Sequence, residues 1–376
     1  MRVGLNATCF NGRPSGAKQR FLGLYGELFK IMPDTQFIIF EPRDYSFKFH
    51  FHNFQNVKCI KTILPSEGRI KKALLGFLFW PIFLRLQKLD ILEGFNLPSI
   101  SHPNVYTFHT IHDVRSTNNN FSGWEYFIAL PLHRRSIHRV NHIITVSHSM
   151  KKEIQNLDVS TPITVIYNGI SDSYSDDFKN EDILKVKEKF NINDNFFLSV
   201  GHFEKRKNYL NLIKTMKLLK DDGFNIPLFI IGNDNGEKKA VLDLVEEFDL
   251  IGQVFILSHL SNLEVKVFYS LASLFIFPSL YEGFGIPILE AMSSKTPIVM
   301  SDLEVFKELT NEKYVYFDPH DVSSMVEKIK FVLNNPKVTE TFRDFGSKRV
   351  NDFTFDGLAV QLKSLYDQVK ESNHLQ

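Results

Sequence analysis

The sequence predicts an α/β protein made of two doubly wound domains, and three observations predict it. Short runs rich in Val, Ile and Phe alternate with segments of helical period, the pattern of parallel strands joined by helical crossovers. The alternation stops at a polar stretch, 168–180, and then begins again. At 376 residues, 43% of them hydrophobic, the chain exceeds the roughly 250–300 residues at which single cores stop growing.

The elements follow in order. The start, MRVGLNATCF, lacks the basic and long apolar regions of a signal peptide and reads as a first strand, 3–5, so the chain is expected to stay in the cytosol. Further strands are expected at 36–39, 57–61, 91–93, 105–110, 142–146 and 164–166, with helices such as 18–31 and 147–156 between some of them. Ser147 is the expected N-cap of the second of these, and Asn168-Gly169 a turn before the linker. After the linker, strands are expected at 196–200, 228–231, 254–257, 274–277, 297–300 and 314–317. Ligands of such sheets bind beyond the carboxyl ends of the strands, so two domains facing across a cleft would collect loops from both.

Composition excludes some partners. The 44 basic and 43 acidic side chains nearly cancel, which argues against an overall design for nucleic acid. Cys9 and Cys59 are too few for a disulfide framework and too far apart for a metal-ligand pair. The apolar run 73–84 (ALLGFLFWPIFL) is short of the roughly 20 residues a spanning helix needs. It reads first as a buried helix or groove wall. Its flanks, Arg69, Lys71 and Lys72 before and Arg85 and Lys88 after, would also suit peripheral contact of 69–88 with an anionic bilayer surface.

The chemistry concentrates after the strand at 274–277, in PSLYEGFGIPILEAMSSKTPIV. Glu282 lies in a loop, Pro287 suits the first turn of a new helix, and Glu290 falls within that helix. Gly283 and Gly285 let backbone amides approach a ligand, and a helix start adds free N–H groups suited to phosphate. A carboxylate beside an anion site is explained by hydroxyl groups, which donate strong hydrogen bonds to it. The local pattern alone is equally that of a tight turn followed by a carboxylate complementing the helix dipole.

Pro-Ser, then Glu-Gly-Phe-Gly-x-Pro, a second Glu eight positions after the first, then Ala-Met, resembles the signature of family 4 glycosyltransferases, which adopt the GT-B fold. The resemblance implies a retaining, metal-independent transferase. By it, Glu282 contacts donor-sugar hydroxyls and Glu290 binds the ribose. Amides near Gly283, Phe284, Gly285 and Ile288 hold sugar and phosphate, and backbone near Ser258 walls the base. It also divides the chain into an acceptor-side domain 1–170, a nucleotide-sugar domain 171–356, and a terminal helix 357–376 crossing back to the first.

VGHFEKRKNYLNLI, after the strand at 196–200, sets Lys205, Arg206 and Lys207 at a helix start. Cations there oppose the macrodipole unless they share an anion. Arg206 and Lys207 resemble the family's Arg-Lys pair, which neutralises the departing diphosphate; His202 stands where the family often has Arg. In the first half, NGRPSGAKQRF after strand one resembles the family's glycine loop, with Gly16 facing the diphosphate. In TFHTIHDV, His109 lies within the strand as a packing histidine, while His112, followed by Asp113, resembles the family's donor-approaching histidine.

No two aspartates are spaced Asp-x-Asp, and two cations with a helix start suffice for the leaving group, so no metal or other cofactor is expected. The resemblance implies front-face displacement in which the leaving phosphate helps deprotonate the acceptor. Glu282 and Glu290 are then binders and not the carboxylate pair of a retaining hydrolase. Two rivals remain: a non-catalytic partner subunit of the same fold, against which Lys207, Glu282 and Glu290 argue, and a nucleotide-sugar epimerase, which would carry acidic residues where the basic pair stands. The donor is read as GDP-mannose or a UDP-sugar, and the acceptor as a glycan or lipid-linked species of bacterial surface polysaccharide synthesis, O-antigen included.

Overall fold

The computed structural model describes residues 1–13, 15–95, 99–114, 134–170, 178–192 and 195–374. The chain forms two compact units, Met1–Gly169 together with Phe353–Gln376, and Ile170–Asp352. Most of the polar stretch read as a linker lies outside the described residues.

In the first unit β1 (Arg2–Asn6), β2 (Gln36–Glu41), β3 (Val57–Lys61), β4 (Ile91–Gly94), β5 (Tyr106–Ile111), β6 (His142–Thr145) and β7 (Ile163–Val165) make one sheet in the order β3-β2-β1-β4-β5-β6-β7. In the second, β8 (Phe197–Val200), β9 (Leu228–Ile231), β10 (Val254–Leu257), β11 (Leu274–Phe277), β12 (Ile298–Ser301) and β13 (Val315–Phe317) are ordered β10-β9-β8-β11-β12-β13. Every pair is parallel. The α/β reading therefore holds in both halves. Strands such as Leu228–Ile231 and Leu274–Phe277 are buried at every residue, which is why they read as continuous apolar runs.

Each order reverses once, between β1 and β4 and between β8 and β11. At such a point neighbouring strands send their following helices to opposite faces, leaving the loops beyond their carboxyl ends open to a ligand.

The first core joins residues from both ends of the chain. Phe21, Tyr25 and Leu28 of helix Gly16–Ile31 pack with Leu358, Leu362 and Tyr366 of helix Phe355–His374. A Cβ at Gly23 would stand 2.2 Å from the Phe355 ring, so a glycine is needed for the two helices to meet there. Deeper, the buried Glu93 carboxylate of β4 accepts hydrogen bonds from Thr110 of β5 and from the Tyr366 hydroxyl. Burial raises the Glu93 carboxyl above its ordinary value.

Two sequence readings need correction here. Gly16, expected in the loop, is the first residue of the helix, with Ser15 as N-cap accepting from the Lys18 amide. The run 73–84 lies within helix Arg69–Gln87, which is buried on one side only. Trp80 and Leu84 pack against Phe40, while Phe77, Leu78, Ile82 and Leu86 are 69–80% exposed. Among the described residues no helix is long and apolar enough to cross a membrane.

Candidate active site

The loops after β8 and β11 flank the switch point of the second sheet. After β8 the chain makes a 3-10 turn, Lys205–Lys207, closed by Asn208 in the left-handed region at φ 58°. The Asn208 side chain donates to the Pro319 carbonyl at 2.7 Å, pinning the turn to the segment after β13. The Leu280 amide donates to the Arg206 carbonyl at 2.7 Å, tying the same turn to the loop after β11.

Between these loops Arg206, Lys207 and Glu282 meet. Lys207 Nζ lies 2.6 Å from Glu282 Oε1, and an Arg206 guanidinium nitrogen 2.6 Å from Glu282 Oε2. The other terminal nitrogen of Arg206 lies 2.6 Å from Glu204 Oε1. Ser279 Oγ donates to Glu282 Oε1 at 2.9 Å. Lys207 is only 5% exposed, and its ammonium sits 4.6 Å above the Phe277 ring, so a carboxylate and a π face replace its water.

The electrostatics follow from burial and pairing. Burial alone would raise the Glu282 carboxyl, but Lys207 and then Arg206 outweigh it and bring it down to about 2. Burial pushes the Lys207 ammonium below its ordinary value, and Glu282 opposes that. His202 is lowered by burial, with Glu204 pulling the other way. Two cations and two carboxylates thus form a charge-compensated cluster.

Helix Ile286–Ser293 starts beside this cluster. Gly285 caps it at φ 125°, a backbone angle that L side chains rarely adopt, and a Cβ there would press on Ile288 and Phe306 at 3.1 and 3.2 Å. Gly283 is half-buried in the turn, and the Phe284 ring is buried. Ile288 is not presented to a ligand: its side chain is in the core and its amide donates to the Gly285 carbonyl at 2.9 Å. Glu290, buried, accepts from the Tyr269 hydroxyl at 2.9 Å. Ser258, just after β10, donates to the Gly232 carbonyl at 2.7 Å and accepts from Lys238 at 3.3 Å.

Gly16 and His112 belong to the first unit. His112 follows β5, and burial together with the Arg20 guanidinium pushes its imidazole down to about 3, so it is neutral at pH 7. His109 is buried within β5.

Sequence reasoning missed Glu204, Ser279 and Tyr269. Glu204 precedes Arg206 by two residues and Ser279 precedes Glu282 by three, so proximity was a signal for both. Tyr269 lies on helix Asn262–Leu271, where nothing in the sequence marks it as a neighbour of Glu290. Among the described residues no three His, Cys, Asp or Glu side chains are grouped as a metal site requires.

Residues 180–349 match the family described as Glycosyl transferases group 1, and residues 43–174 that described as Glycosyltransferase Family 4. The chain is 32% identical over 325 residues to the O-antigen chain mannosyltransferase RfbU of Salmonella typhimurium, covering 83% of this chain and 86% of that protein. It is 28% identical over 326 residues to the capsular polysaccharide biosynthesis glycosyltransferase CapM of Staphylococcus aureus, covering 83% and 78%. In fold it resembles a sucrose-phosphate synthase from Thermosynechococcus elongatus, with a TM-score of 0.78 at 16% identity over 99% of both chains. The chain is a glycosyltransferase, a member of the group 1 enzymes of family 4 with the GT-B fold.

Proposed function

We propose that this glycosyltransferase moves a hexose, with retention of anomeric configuration and without a metal, from a nucleoside-diphosphate sugar to a glycan or lipid-linked acceptor in bacterial surface polysaccharide synthesis. The observation that carries the reading is the cluster of Arg206, Lys207 and Glu282 at the switch point, beside the Gly285-capped helix. The names of the relatives, an O-antigen mannosyltransferase and a capsular glycosyltransferase, support the product class and favour GDP-mannose over a UDP-sugar as donor.

In this reading the diphosphate lies against Arg206, Lys207 and the amides before helix Ile286–Ser293. Charge grows on the leaving oxygen as the C1–oxygen bond to phosphate lengthens, and the two cations stabilise it. The acceptor hydroxyl attacks C1 from the same face and passes its proton to the departing phosphate, so the new glycosidic bond keeps the original configuration. Glu282 accepts hydrogen bonds from sugar hydroxyls and Glu290 from the ribose. His112, neutral, hydrogen-bonds the sugar without competing for the diphosphate. Catalysis takes place in the cytoplasm, and the exposed apolar face of helix Arg69–Gln87 rests on the inner face of the membrane that carries the acceptor.

The test is product analysis with GDP-mannose and UDP-sugars, with and without a lipid-linked oligosaccharide acceptor, in buffer containing EDTA. The expected outcome is nucleoside diphosphate released only when acceptor is present, and a product of unchanged anomeric configuration by NMR. Absence of release with every donor tried would establish the non-catalytic subunit, and an isomerised donor the epimerase.

A further inference from the structure

We infer that Tyr269 is a positioning residue for the donor: it orients the Glu290 carboxylate toward the ribose hydroxyls. The inference rests on the reading of Glu290 as the ribose-binding carboxylate and extends it to a residue on a different helix.

Glu290 is 6% exposed, and a carboxylate so placed must exchange its water for fixed donors. The Tyr269 hydroxyl supplies one of them, 2.9 Å from Oε2. A carboxylate offers about four acceptor positions, and this bond, held by a fixed ring, constrains the group while occupying one of them. The Tyr269 hydroxyl is the donor in this bond, so the carboxylate acts as an acceptor, the role it needs toward sugar-type hydroxyls.

Tyr269 is itself held on three sides. It is fully buried, its ring packs against Phe275 of β11 at 5.3 Å between centroids, and its backbone carbonyl accepts from Thr296 Oγ at 2.6 Å. Thr296 lies just after helix Ile286–Ser293, the helix that carries Glu290. Tyr269 is therefore joined to helix Ile286–Ser293 through Glu290 and, through its backbone carbonyl, to the segment just after that helix. A tyrosine needed only for packing would do as well as phenylalanine here; the hydroxyl is the part that reaches Glu290.

The experiment measures affinity for GDP and UDP, each against its 2′,3′-dideoxy counterpart, in the wild type and in Glu290→Ala, Tyr269→Phe and Phe275→Leu. The wild type is expected to prefer the ribonucleotide by at least about tenfold, and Glu290→Ala to lose that preference. Tyr269→Phe is expected to reduce it by about 3–10-fold, with the donor KM raised and kcat within about twofold. Phe275→Leu, which loosens the ring without touching the hydroxyl, is expected to lower Tm and leave the preference intact. If Glu290→Ala loses the preference while Tyr269→Phe keeps it, the positioning role is overturned and the ribose reading stands. If Glu290→Ala keeps it, or the wild type shows none, the ribose reading falls and takes this inference with it.

Discussion

Glu282 shows how much one side chain is asked to do. Its carboxylate is the shared counter-ion of Arg206 and Lys207, and its folded value of about 2 lies below the ordinary 4.5. A depressed carboxyl stabilises the folded state fully above its unfolded value and loses that contribution as pH falls through its folded value. For Glu282 the window runs from about 4.5 down to about 2. Glu282→Gln keeps the shape and the Ser279 contact but leaves Lys207 without its carboxylate partner and Arg206 with Glu204 alone. We expect it to cost on the order of 3 kcal/mol near pH 7. In urea unfolding, the gap from wild type should be unchanged near pH 5 and narrower near pH 3; a gap constant down to pH 3 would sink the assignment. Arg206, Lys207 and Glu282 were legible because Glu-x7-Glu and Arg-Lys each fall in a short string just after a strand, whereas Glu204 and Ser279 belong to neither motif. Glu290's partner was not, because a hydrogen bond between two helices leaves no trace in spacing.

At the scale of the element, the strands were legible almost residue for residue, since buried parallel strands are unbroken apolar runs. Helix Arg69–Gln87 was legible as a helix but not in its two faces. It is apolar nearly all round, and periodicity identifies a buried side only where the other side is polar. The structure supplies the missing distinction: Leu78, Ile82 and Leu86 recur every four residues on the exposed face, with Arg85 and Lys88, also exposed, at its end. Changing Leu78 and Ile82 together to Gln is expected to lower binding to phosphatidylglycerol vesicles by about tenfold or more in co-sedimentation. Stability should move by less than about 0.5 kcal/mol per site, because both side chains are already in water. Binding that is indifferent to the double change, or equal on neutral vesicles, would rule out this face as the membrane contact.

At the scale of the whole molecule, the second unit is one contiguous segment while the first is assembled from two. The amphipathic period of the terminal helix announces that one face is covered but not which core covers it; in the structure that core is the first unit's. Removing the residues after Asp352 takes Leu358, Leu362 and Tyr366 out of the first core and one donor from the buried Glu93. Limited proteolysis of that shortened chain should degrade Met1–Gly169 rapidly while Ile170–Asp352 persists; equal resistance of both segments would contradict the description. The same discontinuity fixes a timetable in the cell. Helix Gly16–Ile31 leaves the ribosome early with Phe21, Tyr25 and Leu28 uncovered, and its partner, Phe355–His374, emerges only after the entire second unit. At about 5–20 residues per second that delay is roughly ten seconds or more. The unit whose synthesis begins first is therefore the last to be completed, with Phe21, Tyr25 and Leu28 lacking their helical partner through that interval.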